Sequence, residues 1–158
     1  MQRSAARGLR FGSESVRQLS RLLTLAKIDG PLAIEVTDPN HSALNAAVAA
    51  CNGASAADRQ LDAIIASAIF PGIISLPALD TAVWRHEDGT RVRALRYSES
   101  RSAATTLVPA GCWLDDGGNG IARVCGPDGE WEGIHSVAEI AICIAALKAR
   151  IELAQFPD

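Results

Sequence analysis

YSESRSAATTLVPAGCWLDDGGNGIARVCGPDGEWEGIHSVAEIAICIAALKAR, residues 97–150, decides the fold. A short Ala/Thr helix is stopped by Pro109 and Gly111. Strands follow at residues 112–115, 121–125 and 130–133. Between them lie two turn-rich links, 116–120 (Asp-Gly-Gly-Asn-Gly) and 126–129 (Gly-Pro-Asp-Gly). The first link reads as the most flexible loop in the chain. Ser136 and Glu139 then have capping-box spacing, and an apolar helix runs on to about Leu153. Ile140, Ile144, Leu147 and Ile151 form its inward stripe, and Glu139, Lys148, Arg150 and Glu152 mark its solvent side. Val137, Ala141 and Ile142 widen the apolar arc, so the helix is expected to lie buried against a sheet.

Upstream, Thr81 to His86 and Thr90 to Tyr97 alternate with period two across Glu87-Asp88-Gly89, which reads as a hairpin turn. Arg91 and Arg93 then share one face, and Val92 and Ala94 share the other, expected to meet the core. Leu61, Ile64, Ile65, Ala68 and Ile69 form a helical stripe, with Ser55 and Asp58 as its capping pair and Pro71-Gly72 as its stop. A short Ala-rich helix from His41 to Cys51 is closed by Asn52-Gly53. Residues 31–40 form a connector in which 32–36 can pair as a strand. Residues 13–28 form a further amphipathic helix that carries Val16, Leu19, Leu22, Leu23 and Ala26. Hairpin-clustered strands with helices around them predict an α+β fold: a small antiparallel sheet of about four to five strands flanked by helices, with a helical N-terminal arm. The expected division is a basic leader and helical arm, 1–54, and an α+β domain, 55–158.

The chain has 158 residues, enough for one domain with an appended arm. Hydrophobic residues make up 48%, but aromatics only 4%, and much of the remainder is Ala, which buries little area. Leu, Ile, Val and three Trp must therefore hold the core. Residues 1–28 carry six basic side chains against one Glu, while residues 29–158 carry nine against 17 acids. The acidic body argues against a broad phosphate-binding face. The basic leader reads as a solubilising tail, and contact with nucleic acid is the other use of such a segment. No run reaches the length of a membrane span, and residues 1–12 lack the apolar core of a secretory signal. Cys51, Cys112, Cys125 and Cys143 lack metal-ligand spacing and are expected as free thiols in a reducing, cytoplasmic compartment.

No catalytic, metal or cofactor motif emerges. His41, His86 and His135 are isolated, and Asp115-Asp116 lacks the alternating ligands of a calcium loop. Gly117-Gly118-Asn119-Gly120 lacks the Lys-Ser/Thr of a phosphate loop. Cys112 would need a nearby His to act as a nucleophile. The candidate binding surface is Trp84, Arg91, Arg93, Tyr97, Trp113 and Trp131. Core packing is the ordinary role of the three Trp. Two sharing an exposed face would instead anchor a protein interface. Arg85, Arg91, Arg93, Arg96 and Arg101, interleaved with Trp84 and Tyr97, have the composition of a nucleic-acid contact. Cross-strand ion pairs, with Glu87 and Asp88 offsetting Arg85, would give the same pattern.

Three segments resemble a known family. Asp58-Arg59-Gln60-Leu61-Asp62-Ala63 resembles its "DRELDA" helix. Residues 102–111 resemble its "DAALTLVPEG" segment, with Trp113 where an aromatic often stands. Residues 138–150 resemble its "PALALCAAALRAR" helix. The family is the small phage-type ABA-sandwich domain, found in short proteins of phages and prophages. The resemblance spans roughly residues 55–152 and implies a small α+β sandwich of uncharacterised function in a bacterial host cell. The leading expectation is a protein-interaction or accessory module with a host or phage partner and no cofactor. The alternatives are a nucleic-acid-associated accessory protein that uses the Arg-rich hairpin, and a small enzyme of unknown reaction. Homo-oligomerisation through residues 13–28 is a further expectation.

Overall fold

The computed structural model describes residues 39–155. The expected helix at 13–28, its oligomer contact and the strand at 32–36 lie outside the described residues. Within them the order is α1 (Pro39–Gly53), α2 (Arg59–Ile69), a 3-10 turn (Pro71–Ser75), β1 (Ala78–Asp80), β2 (Val83–Arg85), β3 (Arg91–Arg93), α3 (Arg101–Thr105), β4 (Trp113–Gly118), β5 (Ile121–Gly126), β6 (Gly129–Ile134) and α4 (Ala138–Leu153). The class is α+β. The single sheet of four to five strands divides into two antiparallel sheets, β1-β2-β3 and β4-β5-β6. Two features set the division: α3 interrupts the strand run, and β1, which follows Pro77, adds a third strand to the first hairpin.

Helix α4 is the centre of the described core. It packs on β5 and β6, on α1 and on α3. Every residue from Ile140 to Leu147 is buried, as is Ala149, so its burial extends beyond a single stripe. Small residues make this possible. A Cβ on Gly133 of β6 would lie 2.0 Å from the Ala141 carbonyl oxygen and 2.7 Å from the Ala145 nitrogen. Gly133 and a one-turn pair of alanines thus let sheet and helix backbones touch. Leu44, Ala47 and Cys51 of α1 enter the same core, which therefore extends ahead of residue 55.

The helix starts differ from the capping patterns. Helix α2 begins at Arg59, without a side-chain cap from Asp58, and the Asp58 N–H is satisfied by the Ser98 hydroxyl at 3.1 Å. Helix α4 forms no Ser136–Glu139 box. Instead His135 Nδ1 accepts the Val137 N–H at 2.9 Å, which leaves the proton on Nε2 to be donated to the Ala54 carbonyl at 2.8 Å. One imidazole thereby ties the start of α4 to the link between α1 and α2. The expected flexible loop at 116–120 is mostly strand. The turn is Asn119-Gly120, with φ of 52° and 76°, the pair of positive angles that a tight hairpin requires. The first hairpin turns as read, with Gly89 at φ 85° and the Asp88 carboxylate holding both the N–H and the hydroxyl of Thr90. Those two bonds, the hydroxyl first, hold the Asp88 carboxyl below its usual range.

Candidate functional site

The first sheet has two unlike faces. Trp84 lies in register with Ala78 and Val92; Ala78 on the edge strand stays exposed and Val92 is half-buried, while Trp84 turns inward at 8% exposed. Ala94 is buried beside it, as the alternation requires. Tyr97 is 3% exposed, and its carbonyl accepts the Cys143 thiol at 3.4 Å. Burial pushes the Tyr97 phenol up, with the Asp62 charge acting the same way. On the outward face Arg85 stands directly across from Arg91, and Arg93 across from Val83. All three arginines are exposed.

Among the described residues none of these three has a carboxylate at ion-pair distance. Arg59 pairs with Asp62, Arg96 with Glu99, Arg101 with Asp116, and Arg123 with Glu130 and Glu132. The offset of Arg85 by Glu87 and Asp88 does not form, since Asp88 serves Thr90 and lies 3.3 Å from His86. Two shallow clefts, of about 300 and 360 Å³, lie beside Arg91 and Arg93 and share Asp80, Val83 and Arg93.

The second sheet also splits by face. Leu114, Val124 and Trp131 form one row, and Asp116, Ala122 and Gly133 the next but one. Val124, Ala122, Gly133 and Trp131 (5% exposed) are buried toward α4. The alternate rows face out: Trp113 with Cys125 and Glu130, then Asp115 with Arg123 and Glu132. Trp113 is 59% exposed and Ile134, at the far end of β6, 63%. Arg123 Nε lies 3.0 Å from Glu132 and 3.3 Å from Glu130. The Glu132 hydrogen bond, then the charges of both glutamates, holds its guanidinium more firmly protonated. Three carboxylates against one arginine leave this face acidic.

The six candidate residues therefore do not form one surface. Trp84, Tyr97 and Trp131 are core residues. Arg91 and Arg93 belong to the first sheet, Trp113 to the second. What the sequence reading missed is a clamp between α2 and the segment after β3. Asp62, 1% exposed, accepts the Ser98 N–H at 2.8 Å, the Ser98 hydroxyl at 2.9 Å and Arg59 Nη1 at 2.8 Å. Arg59 also donates to the carbonyls of Ala94 and Leu95. The signal was a carboxylate inside the apolar arc between Leu61 and Ile65.

The residues weighed for chemistry have structural employment. Asp116 pairs with Arg101 and accepts the Gly118 N–H, contacts that hold its carboxyl below the usual range. His41 bonds Asn45 and Gln155. Burial pushes the Cys51 thiol up to about 12 and raises the Cys143 thiol still further. Cys112 is half-buried, and its sulfur lies against Gly126. Among the described residues no three His, Cys, Asp or Glu side chains gather as a metal site. A cleft of about 280 Å³ lies beside Arg150, whose Nε donates to the Leu107 carbonyl at 2.6 Å and whose guanidinium pKa is lowered by burial. Among the described residues no helix is long and apolar enough to cross a membrane. No protein-family model, curated protein or solved structure matches the chain.

Proposed function

We propose that the protein is a non-catalytic accessory module that engages a protein partner through the outward face of its second sheet. The observation that carries this reading is Trp113, more than half exposed beside the acidic rows of Asp115, Glu130 and Glu132. An exposed Trp on a regular sheet is a ready interface anchor, because it brings large apolar area on a rigid backbone. The surrounding acids select a partner with an apolar recess rimmed by Lys or Arg. The resemblance of residues 58–63, 102–111 and 138–150 to phage-type domains supports a phage or prophage setting and a partner from the phage or its host. The buried thiols, and the hydrogen bonding of His41 and His135, favour binding over catalysis.

The test is affinity capture with the full-length chain in parallel with Trp113→Ala and Glu130→Lys, followed by titration of the purified partner. The expected result is one stoichiometric partner with a basic surface. Its affinity falls about 30-fold or more with Trp113→Ala, the range of an anchor residue. A partner bound equally well by wild type and both variants overturns the reading.

A further inference from the structure

We infer that Arg85, Arg91 and Arg93 form a second binding surface, one that holds the phosphate backbone of duplex nucleic acid without reading its sequence. It is independent of the Trp113 face, since the two lie on different sheets.

Like charges directly opposite on a strand pair repel, so Arg85 across from Arg91 costs the hairpin stability. Elsewhere among the described residues, exposed arginines are neutralised by a carboxylate within 3.3 Å: Arg96, Arg101 and Arg123 all are. The hairpin keeps three guanidiniums together with no carboxylate at ion-pair distance among the described residues; Asp80, in the row of Val83 and Arg93, accepts the Thr81 N–H instead. Asp88, next to them in sequence, is turned to Thr90 instead. An external anion supplies what the fold withholds.

The layout specifies the anion. Arg91 and Arg93 are two residues apart on one strand, about 7 Å along it. Arg85 sits across the strand pair, with Cβ atoms about 5 Å apart. This is an L-shaped array on an open face, one arm along β3 and the other across to β2, and its flanking clefts are shallow. A single phosphate would meet one or two guanidiniums, whereas a polymer of phosphates meets all three with the forked geometry that arginine offers. The aromatic residues decide between strand types. Single strands are held by stacking bases on exposed rings, but Trp84 and Tyr97 are buried, Trp113 is on the other sheet, and the exposed Phe70, at the end of α2, lines neither cleft beside the arginines. Backbone contact alone suits a duplex and gives no base readout. A membrane surface fits less well, because interfacial binding needs a broad apolar face and Leu79 is the one exposed large apolar side chain lining these clefts.

The experiment is fluorescence anisotropy of the full-length chain with two 20-base-pair DNA duplexes of unrelated sequence. A dT20 strand and vesicles with about one third phosphatidylserine serve as competitors. The expected result is equal binding to both duplexes, weakened by salt. Three phosphate contacts contribute about −2.7 to the slope of log affinity against log salt, and each Arg→Gln at 85, 91 or 93 removes about 0.9. Arg96→Gln, at a paired arginine, leaves the slope unchanged. The single variants keep the test readable if the triple variant folds poorly. No duplex binding at low salt, an unchanged slope in all three variants, or preference for dT20 or vesicles overturns the inference.

Discussion

Asp62 and Ser98, 36 residues apart, are joined by two hydrogen bonds to one carboxylate oxygen, from the Ser98 amide at 2.8 Å and its hydroxyl at 2.9 Å. The other oxygen receives Arg59 at 2.8 Å. The bonds run from the first turn of α2 to the chain just after the first sheet. Asp62→Ala removes the acceptor and leaves a buried N–H without a partner, which costs about 3 kcal/mol and can reach the loss seen on breaking a buried pair. Asp62→Asn keeps the shape and one acceptor oxygen but turns an amide donor or a weaker acceptor toward Arg59. Its expected loss is about half as large. Urea unfolding of the two variants beside wild type checks the order; equal stability of all three would refute the clamp.

Gly133 gives a sharper steric prediction. Gly133→Ala drives a methyl into the backbone of Ala141 and Ala145, which cannot rotate away. Sheet and helix must separate, at a cost of about 3 kcal/mol, the upper range for over-packing. Gly53→Ala, where nothing lies within 4 Å of the new Cβ, is the control. Near the end of α1 it is expected to be neutral, or stabilising by up to about 1 kcal/mol. Thermal unfolding of both variants distinguishes local crowding from a general intolerance of Gly replacement.

What the sequence made legible was governed by local chemistry. Pro, Gly, Asp and Asn punctuation located the three hairpin turns, at 87–89, 119–120 and 127–128, and period 3.6 located α2 and α4, because turns and amphipathic helices are specified by neighbours within a few residues. The separation into two sheets was not legible. It depends on β1, three residues of a Pro-flanked connector, pairing with β2. Such short strands carry no periodicity of their own. Trp burial was partly legible: core packing was expected of all three, and Trp84 and Trp131 are buried, but Trp113 and Trp131 are sorted to opposite faces by the β4–β5–β6 register, which no local pattern fixes. The arginine face was legible as a cluster. Its lack of carboxylate partners was not, because Asp88 lies near it in sequence yet turns to Thr90.

Alkaline pH should loosen the core. Burial pushes the folded Cys51 thiol up to about 12 and the Cys143 thiol further, and it also raises the Tyr97 phenol. In the unfolded chain the thiols release protons from about 8.5. Above that value the unfolded state binds fewer protons than the folded one, so stability falls as pH rises. The loss is absent at neutral pH. It grows across roughly pH 8.5–12, by up to about 1.4 kcal/mol per pH unit for each such thiol. Urea midpoints measured from pH 7 to pH 10.5 should decline, and Cys51→Ala should flatten the decline while lowering stability modestly at pH 7. A wild-type midpoint that is level over this range contradicts the buried-thiol account.

The two Trp environments predict a fluorescence experiment. Trp84 and Trp131 are core residues, so collisional quenchers should reach Trp113 almost alone. Trp113→Phe should therefore remove most of the quenchable emission, while Trp84→Phe leaves it. Charge adds a second test. Trp113 shares its row with Glu130, and the next row holds Asp115 and Glu132 against Arg123. A cationic quencher such as caesium is concentrated at this face and iodide is repelled, so at low ionic strength caesium should quench Trp113 more strongly relative to each ion's action on free tryptophan. The contrast should shrink as added salt brings the screening length from about 30 Å at 0.01 M to about 8 Å at 0.15 M. Glu130→Gln should reduce it without changing the accessible fraction, because the substitution removes charge and leaves the backbone register intact. Equal quenching by both ions at low salt would mean that the carboxylates do not govern the field at Trp113. The basic-partner chemistry proposed for this face would then lose its support, while the exposure of the indole itself would stand.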